Sequence, residues 1–65
     1  MTAAEWNATN PPGTRVRVRP YHWRSFGYPV GEIVQTVGKA FVVGGITYVE
    51  IGNINWPVRY LEVVS

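Results

Sequence analysis

The stretch AFVVGGITYVEI, residues 40–51, decides the fold of this 65-residue chain. Two runs rich in β-branched and aromatic residues, Ala40–Val43 and Ile46–Ile51, flank the dipeptide Gly44-Gly45. Because both glycines accept a positive φ, the stretch predicts a β-hairpin with a two-residue turn. Gly52-Asn53 follows directly and predicts a second tight turn, so the centre of the chain is expected to be β-structure.

Towards the N-terminus, the hydrophobic period stays at two residues rather than 3.6. Thr14–Arg19 is predicted to be the first strand, with Val16 and Val18 on one face and arginines on the other. Gly31–Val37 is predicted to be the second strand. Tyr21–Pro29 lies between them without a clean period and is expected to be a long loop.

The two ends of the chain carry shorter signals. Thr2-Ala3-Ala4-Glu5 is a capping box that predicts a helix over residues 3–8, and the segment Asn10–Gly13 with its two prolines ends that helix. Trp6 is expected to anchor this helix on the rest of the protein. At the other end, Trp56–Tyr60 is predicted to be a short 3₁₀ turn and Leu61–Val64 a last short strand.

Five short strands, a long first loop, tight central hairpins and a 3₁₀ turn before the final strand are typical of a small all-β SH3-like barrel. We expect one domain, with residues 1–13 as an N-terminal arm containing the short capped helix and residues 14–65 as the barrel. A five-stranded OB-like barrel is the alternative, although that fold usually needs more residues and a helix between its third and fourth strands.

The composition limits the classes of protein that this chain can represent. It has no cysteine, which excludes a disulfide framework and a thiolate zinc site, and its 46% hydrophobic and 15% charged residues argue against disorder. The net charge of +2 permits an anionic partner. The chain has neither an apolar run of about 20 residues nor a signal-peptide pattern, which predicts a cytoplasmic protein with no membrane partner.

Two resemblances to known families follow from these residues. Trp6-Asn7, Pro12-Gly13-Thr14, Val16, Val49-Glu50 and Leu61-Glu62 resemble short uncharacterised proteins of actinobacteria and their phages. That family has no assigned activity, and the resemblance implies a phage or mobile-element origin. The cytoplasm expected above would then be that of a host cell, with virion association as the alternative.

The second resemblance is to the plasmid-borne type II dihydrofolate reductases, which are SH3-like barrels that assemble as tetramers around a pore for folate and NADPH. It is carried by the segments 13–17, 31–34 and 56–64. The family's ligand-binding glutamine falls on Ile54 here and its tyrosine falls on Trp56. The resemblance therefore implies the fold, and a reductase is the less favoured alternative.

Catalytic side chains are scarce in the sequence. The chain has one histidine, no cysteine and no aspartate, and its glycines form neither a Walker-type nor a dinucleotide-binding loop. Glu32 and Glu50 are expected to pair with arginines of the first strand rather than to serve as an acid–base pair. We therefore expect no enzyme activity, no metal and no cofactor.

The candidate binding surface combines alternating arginines with an aromatic loop. Basic residues among aromatic ones are typical of single-stranded nucleic-acid grooves, where charges follow the phosphates and rings stack on bases. The predicted partner-binding residues are Arg15, Arg17, Arg19, Tyr21, His22, Trp23, Arg24, Phe26 and Tyr28.

Three other interpretations of these residues stay open. The surface could bind a host or virion protein, because aromatic and arginine side chains are enriched at interface hot spots, or a second copy in a homo-oligomer. An ordinary solvated strand face also alternates arginine with buried valine, and loop aromatics can cap a core.

Overall fold

A computed structural model describes residues 2–19 and 30–64 of the chain. It contains mostly antiparallel strands and one short helix. The elements in chain order are α1 (Ala3–Thr9), β1 (Arg15–Val18), β2 (Ile33–Gln35), β3 (Phe41–Val43), β4 (Ile46–Ile51), β5 (Ile54–Pro57), a 3₁₀ helix (Val58–Tyr60) and β6 (Leu61–Val63). The first sheet has the strand order β2-β1-β6 and the second sheet the order β3-β4-β5.

Both predicted turns are confirmed in the second sheet. Gly44 and Gly45 join β3 to β4 with φ values of 58° and 80°, and Gly52 starts the β4–β5 turn with a φ of 66°. Residues other than glycine and asparagine rarely adopt backbone angles in this left-handed region. The glycines therefore fix the position of each hairpin and, with it, the register of the second sheet.

The segment after the second turn differs from the prediction. Residues 54–57 form strand β5, which pairs with β4 from Ile51↔Ile54 to Tyr48↔Pro57, and the 3₁₀ helix covers only Val58–Tyr60. Pro57 is tolerated because β5 is the edge strand of its sheet among the described residues, where a missing N–H breaks no ladder. The described residues thus form six strands where five were expected.

The two sheets meet where β2 ends. Thr36 forms a bridge with Ile51, and the N–H of Val37 donates to the carbonyl of Glu50 at 2.9 Å. The chain leaving β2 therefore runs along the same edge of β4 that β3 pairs with further on. Thr36 is buried, and its hydroxyl accepts from the N–H of Thr14 at 3.2 Å, which satisfies this polar group inside the junction.

The core lies between the inner faces of the sheets. Its buried hydrophobic residues are Trp6, Val16, Val18, Ala40, Val49, Ile51, Trp56, Val58 and Leu61. The alternation predicted for the first strand is confirmed, since Val16 and Val18 are 0% and 1% exposed while the arginines beside them are exposed. All three residues of β3, by contrast, are exposed.

Helix α1 is held at both ends of its first turn and on its inner face. The capping box is confirmed: the N–H of Thr2 donates to the Glu5 carboxylate at 2.8 Å, and the N–H of Glu5 donates to the Thr2 hydroxyl at 3.1 Å. The hydrogen bond from Thr2 lowers the pKa of Glu5. Trp6 is buried, which confirms it as the anchor.

Asn7 adds a second attachment between helix and sheet. Its Oδ1 accepts from the N–H of Ala40 at 2.7 Å, and its Nδ2 donates to the carbonyl of Ala40 at 3.1 Å. One side chain thus satisfies both backbone groups of a buried residue immediately before β3.

Candidate functional site

Strand β1 presents its arginines together on the outer face of the first sheet. Successive side chains of a strand point to opposite faces, so burial of Val16 and Val18 places Arg15 and Arg17 outward. Arg19 follows the strand and is also exposed. The side chains of Arg17 and Arg19 keep 46% and 58% of their surface in solvent. We call these three residues the arginine face.

The neighbouring strands add uncharged and acidic side chains to this surface. Arg15 lies opposite Gln35 and Arg17 lies opposite Ile33 in β2, while Arg17 lies opposite Glu62 in β6. Directly opposed residues in an antiparallel pair share a face, so these side chains border the arginines. The structure thus adds residues that the sequence alone did not assign to the surface, because strand register determines them.

Glu62 is the acidic partner of the arginine face. Its Oε1 lies 3.4 Å from Nη1 of Arg17 and 3.6 Å from Nη2 of Arg19. Exposed ion pairs of this kind contribute only about 0–1 kcal/mol, because water screens both charges. One carboxylate shared between two guanidinium groups leaves an excess of positive charge on this face.

The expected pairing with Glu32 and Glu50 is wrong within the described residues. Neither glutamate forms an ion pair with an arginine there, because the register places Glu62 rather than these two opposite Arg17. Arg15 has no ion pair in residues 2–19 and 30–64. It borders a shallow depression together with Ile33 and Gln35.

The other predicted site residues, Tyr21, His22, Trp23, Arg24, Phe26 and Tyr28, lie outside the described residues, as does the predicted loop Tyr21–Pro29. Of the predicted site residues, the structure therefore places only Arg15, Arg17 and Arg19 on a common surface.

A cleft lies beside β6 on the side opposite the arginine face, and the sequence did not predict it. It has a volume of about 510 Å³ and lies between the edge of the first sheet, the β3–β4 hairpin and α1. Its lining residues come from three separate stretches of the chain, residues 6–10, 45–47 and 58–63, and no local pattern in the sequence predicts such a meeting.

In the described part of the chain, no group of three or more histidine or acidic side chains lies close enough to hold a metal ion. No helix among the described residues has the length and apolar character needed to cross a bilayer.

Comparison of the chain with protein-family models, with curated proteins and with solved structures gave no match. The resemblances given above stay predictions.

Proposed function

We propose that this protein is a small non-enzymatic interaction module that binds single-stranded nucleic acid through its arginine face. The observation that carries the proposal is the placement of Arg15, Arg17 and Arg19 on one exposed surface with only Glu62 in ion pairs with them among the described residues. Such a surface attracts phosphates, and the counterions released on binding favour association.

The spacing along the strand supports a backbone contact. Alternate residues of a β-strand lie about 6.6 Å apart, which is the scale of successive phosphates along an extended single strand. Guanidinium groups also bind phosphate oxygens in a bidentate manner. Arg17 and Arg19 can exchange the shared Glu62 carboxylate for phosphates at little cost, because an exposed ion pair contributes little.

The aromatic residues of the segment 21–28 complete the proposal. Their rings would stack on bases, with each stacked base contributing about 1–3 kcal/mol, and Arg24 would add a further charge. In the sequence, Pro20 alone separates this segment from Arg19.

We also propose that the two sheets belong to an SH3-like barrel. Two features support this proposal. Strand β3 and the segment after β2 both pair with the same edge of β4, and the 3₁₀ helix lies directly before β6. In this arrangement β1 is the central strand of the first sheet, so its outer face is a firm platform for ligand contact.

Binding of a fluorescent oligothymidylate of about ten nucleotides tests the proposed function, since single-strand sites span about 4–16 nucleotides. Fluorescence anisotropy should give an affinity that falls with salt, with a slope of log K against log salt of about −0.7 per neutralised phosphate. Arg17→Ala should weaken binding and reduce the magnitude of that slope by about 0.7.

Lys39→Ala is the matched control, because it also removes one exposed positive charge but lies outside the arginine face. It should change the slope much less than Arg17→Ala. Absence of binding at low salt, or equal effects of the two substitutions, would contradict the proposed function.

A further inference from the structure

Strand β6 has one hydrogen-bonding edge that no described strand covers. In its pairing with β1, the N–H of Val64 donates to Arg15 and the carbonyl of Tyr60 accepts from Arg19, both at 2.9 Å. Hydrogen-bonded and non-hydrogen-bonded pairs alternate in an antiparallel ladder. The backbone groups of Leu61 and Val63 therefore point away from β1.

The Leu61 N–H is already used, because it donates to the carbonyl of Val58 at the end of the 3₁₀ helix. Three backbone groups therefore remain along this edge of β6: the Leu61 carbonyl, the Val63 N–H and the Val63 carbonyl. Within the described residues β6 ends the first sheet, so these three groups are available to an added strand.

The cleft of about 510 Å³ lies along this same edge. Its apolar lining includes Trp6, Ile46, Val58, Leu61 and Val63. Val63 is 48% exposed and Ile46 is 37% exposed, so apolar surface lies open at the mouth of the cleft. The inner-face side chains of a strand added to β6 would point into this space.

The charge of the cleft limits its partner further. Arg59 is the one charged side chain among the described residues that line it. This arginine is exposed and its guanidinium lies 5.8 Å from the ring centre of Tyr60. A carboxylate would complement this single positive charge, whereas a basic group would be repelled.

We infer that the cleft binds an extended peptide segment that adds to β6 as a further strand of the first sheet. The Leu61 carbonyl and the Val63 backbone would hydrogen-bond the peptide, an apolar peptide side chain would enter the cleft, and a carboxylate on the same face of the peptide would reach Arg59. This site lies on the inner face of β6, opposite the arginine face, and does not depend on the proposed function.

A titration followed by ¹⁵N NMR spectroscopy tests the inference, with the capped peptide TLTVTET as the probe. Its leucine, valine and glutamate share one face of an extended strand. Saturating shifts are expected for the backbone amides of Arg59 and Val63 and for the indole N–H of Trp6, which has no hydrogen-bond partner among the described residues. The reference peptide TLTVTKT should bind about fivefold more weakly, because it replaces an attraction with a repulsion.

The substitution Val63→Pro removes the edge N–H but leaves the bonds of Glu62 and Val64 to β1, and edge strands accept proline. It should abolish saturation, whereas Val63→Ala should keep part of the binding. An N-methylated probe tests the same hydrogen bonds on the unaltered protein and should also fail to bind.

Three results of the peptide titrations would each overturn the inference: no saturable shifts along β6, equal affinity for the two peptides, or equal binding by the N-methylated probe. Shifts of the β6 amides that depend on protein concentration without peptide would also overturn it, because a second copy of the chain would then occupy the edge.

Discussion

Arg17 and Glu62 lie directly opposite each other in the β1–β6 pair, and Nη1 of Arg17 is 3.4 Å from Oε1 of Glu62. Arg19 approaches the same oxygen at 3.6 Å. Glu62 is therefore the side chain that offsets part of the positive charge of the arginine face.

Removing that carboxylate should strengthen the binding of an oligonucleotide. Glu62→Gln keeps the side-chain shape and frees two guanidinium groups, so we expect a severalfold higher affinity for oligothymidylate at low salt and a steeper salt dependence. The control Glu32→Gln makes the same change in net charge on an exposed residue outside the ion pairs of the described chain. If the two variants gain equally, net charge rather than this ion-pair arrangement determines binding.

The attachment of α1 through Asn7 should contribute measurably to stability. Asn7→Ala leaves the N–H and the carbonyl of buried Ala40 without partners, which should lower the free energy of unfolding by about 1–3 kcal/mol. Urea unfolding measures this loss. Asn55→Ala, on the exposed side of β5, should stay within about 0.5 kcal/mol of the wild type. Similar losses for both variants would show that the Asn7 contacts do not hold the helix.

Shortening a side chain on the inner face of β1 should lower the free energy of unfolding much more than shortening an exposed side chain of β3. Val16→Ala removes two methyl groups from a residue that is 0% exposed, so it should cost about 1–3 kcal/mol through lost burial and the cavity left behind. Val42→Ala makes the same chemical change at an exposed position of β3 and should cost far less. Chemical unfolding of both variants compares them, and a small loss at Val16 would contradict the assigned core.

The turn between β3 and β4 should accept asparagine but not valine at position 44. Gly44 has a φ of 58°, so Gly44→Val should destabilise the protein by about 1–2 kcal/mol or more, whereas Gly44→Asn should be close to neutral. Gly38→Ala is a useful comparison, because Gly38 has no positive φ and open space where a Cβ would stand. A thermal melt of each variant gives the order, and equal melting temperatures for Gly44→Val and Gly44→Asn would rule out the left-handed turn.

The capping box should make helix docking depend on pH. The lowered pKa of Glu5 means that folding favours its carboxylate form. Its contribution is present above the ordinary value of 4.5 and is lost as the pH falls through the lower pKa of the folded state. The melting temperature of the wild type should exceed that of Glu5→Gln at neutral pH and converge with it in acid. A constant difference across this range would contradict the role of the charge.

The sequence predicted those features that depend on neighbouring residues. The Gly44-Gly45 turn, the capping box and the alternation of β1 are all local, because a few adjacent side chains determine the backbone angles. The all-β class follows from the same short patterns.

Features that depend on contacts between distant segments were missed. Arg17 and Glu62 are 45 residues apart, and only the register of β6 on β1 brings them together. Strand β5 was missed because Pro57 indicates a turn until its position at a sheet edge is known. The cleft beside β6 needs α1, the hairpin and the 3₁₀ helix to meet, which tertiary packing alone decides.

A map of the oligonucleotide contact by ¹⁵N NMR spectroscopy tests the central claim most directly. Titration of the protein with oligothymidylate at low salt should shift the amides of Arg15, Arg17 and Gln35 together, with little change along β3. Addition of salt should reverse these shifts. Shifts concentrated on the β3–β4 hairpin, or none on the outer face of the first sheet, would contradict the account.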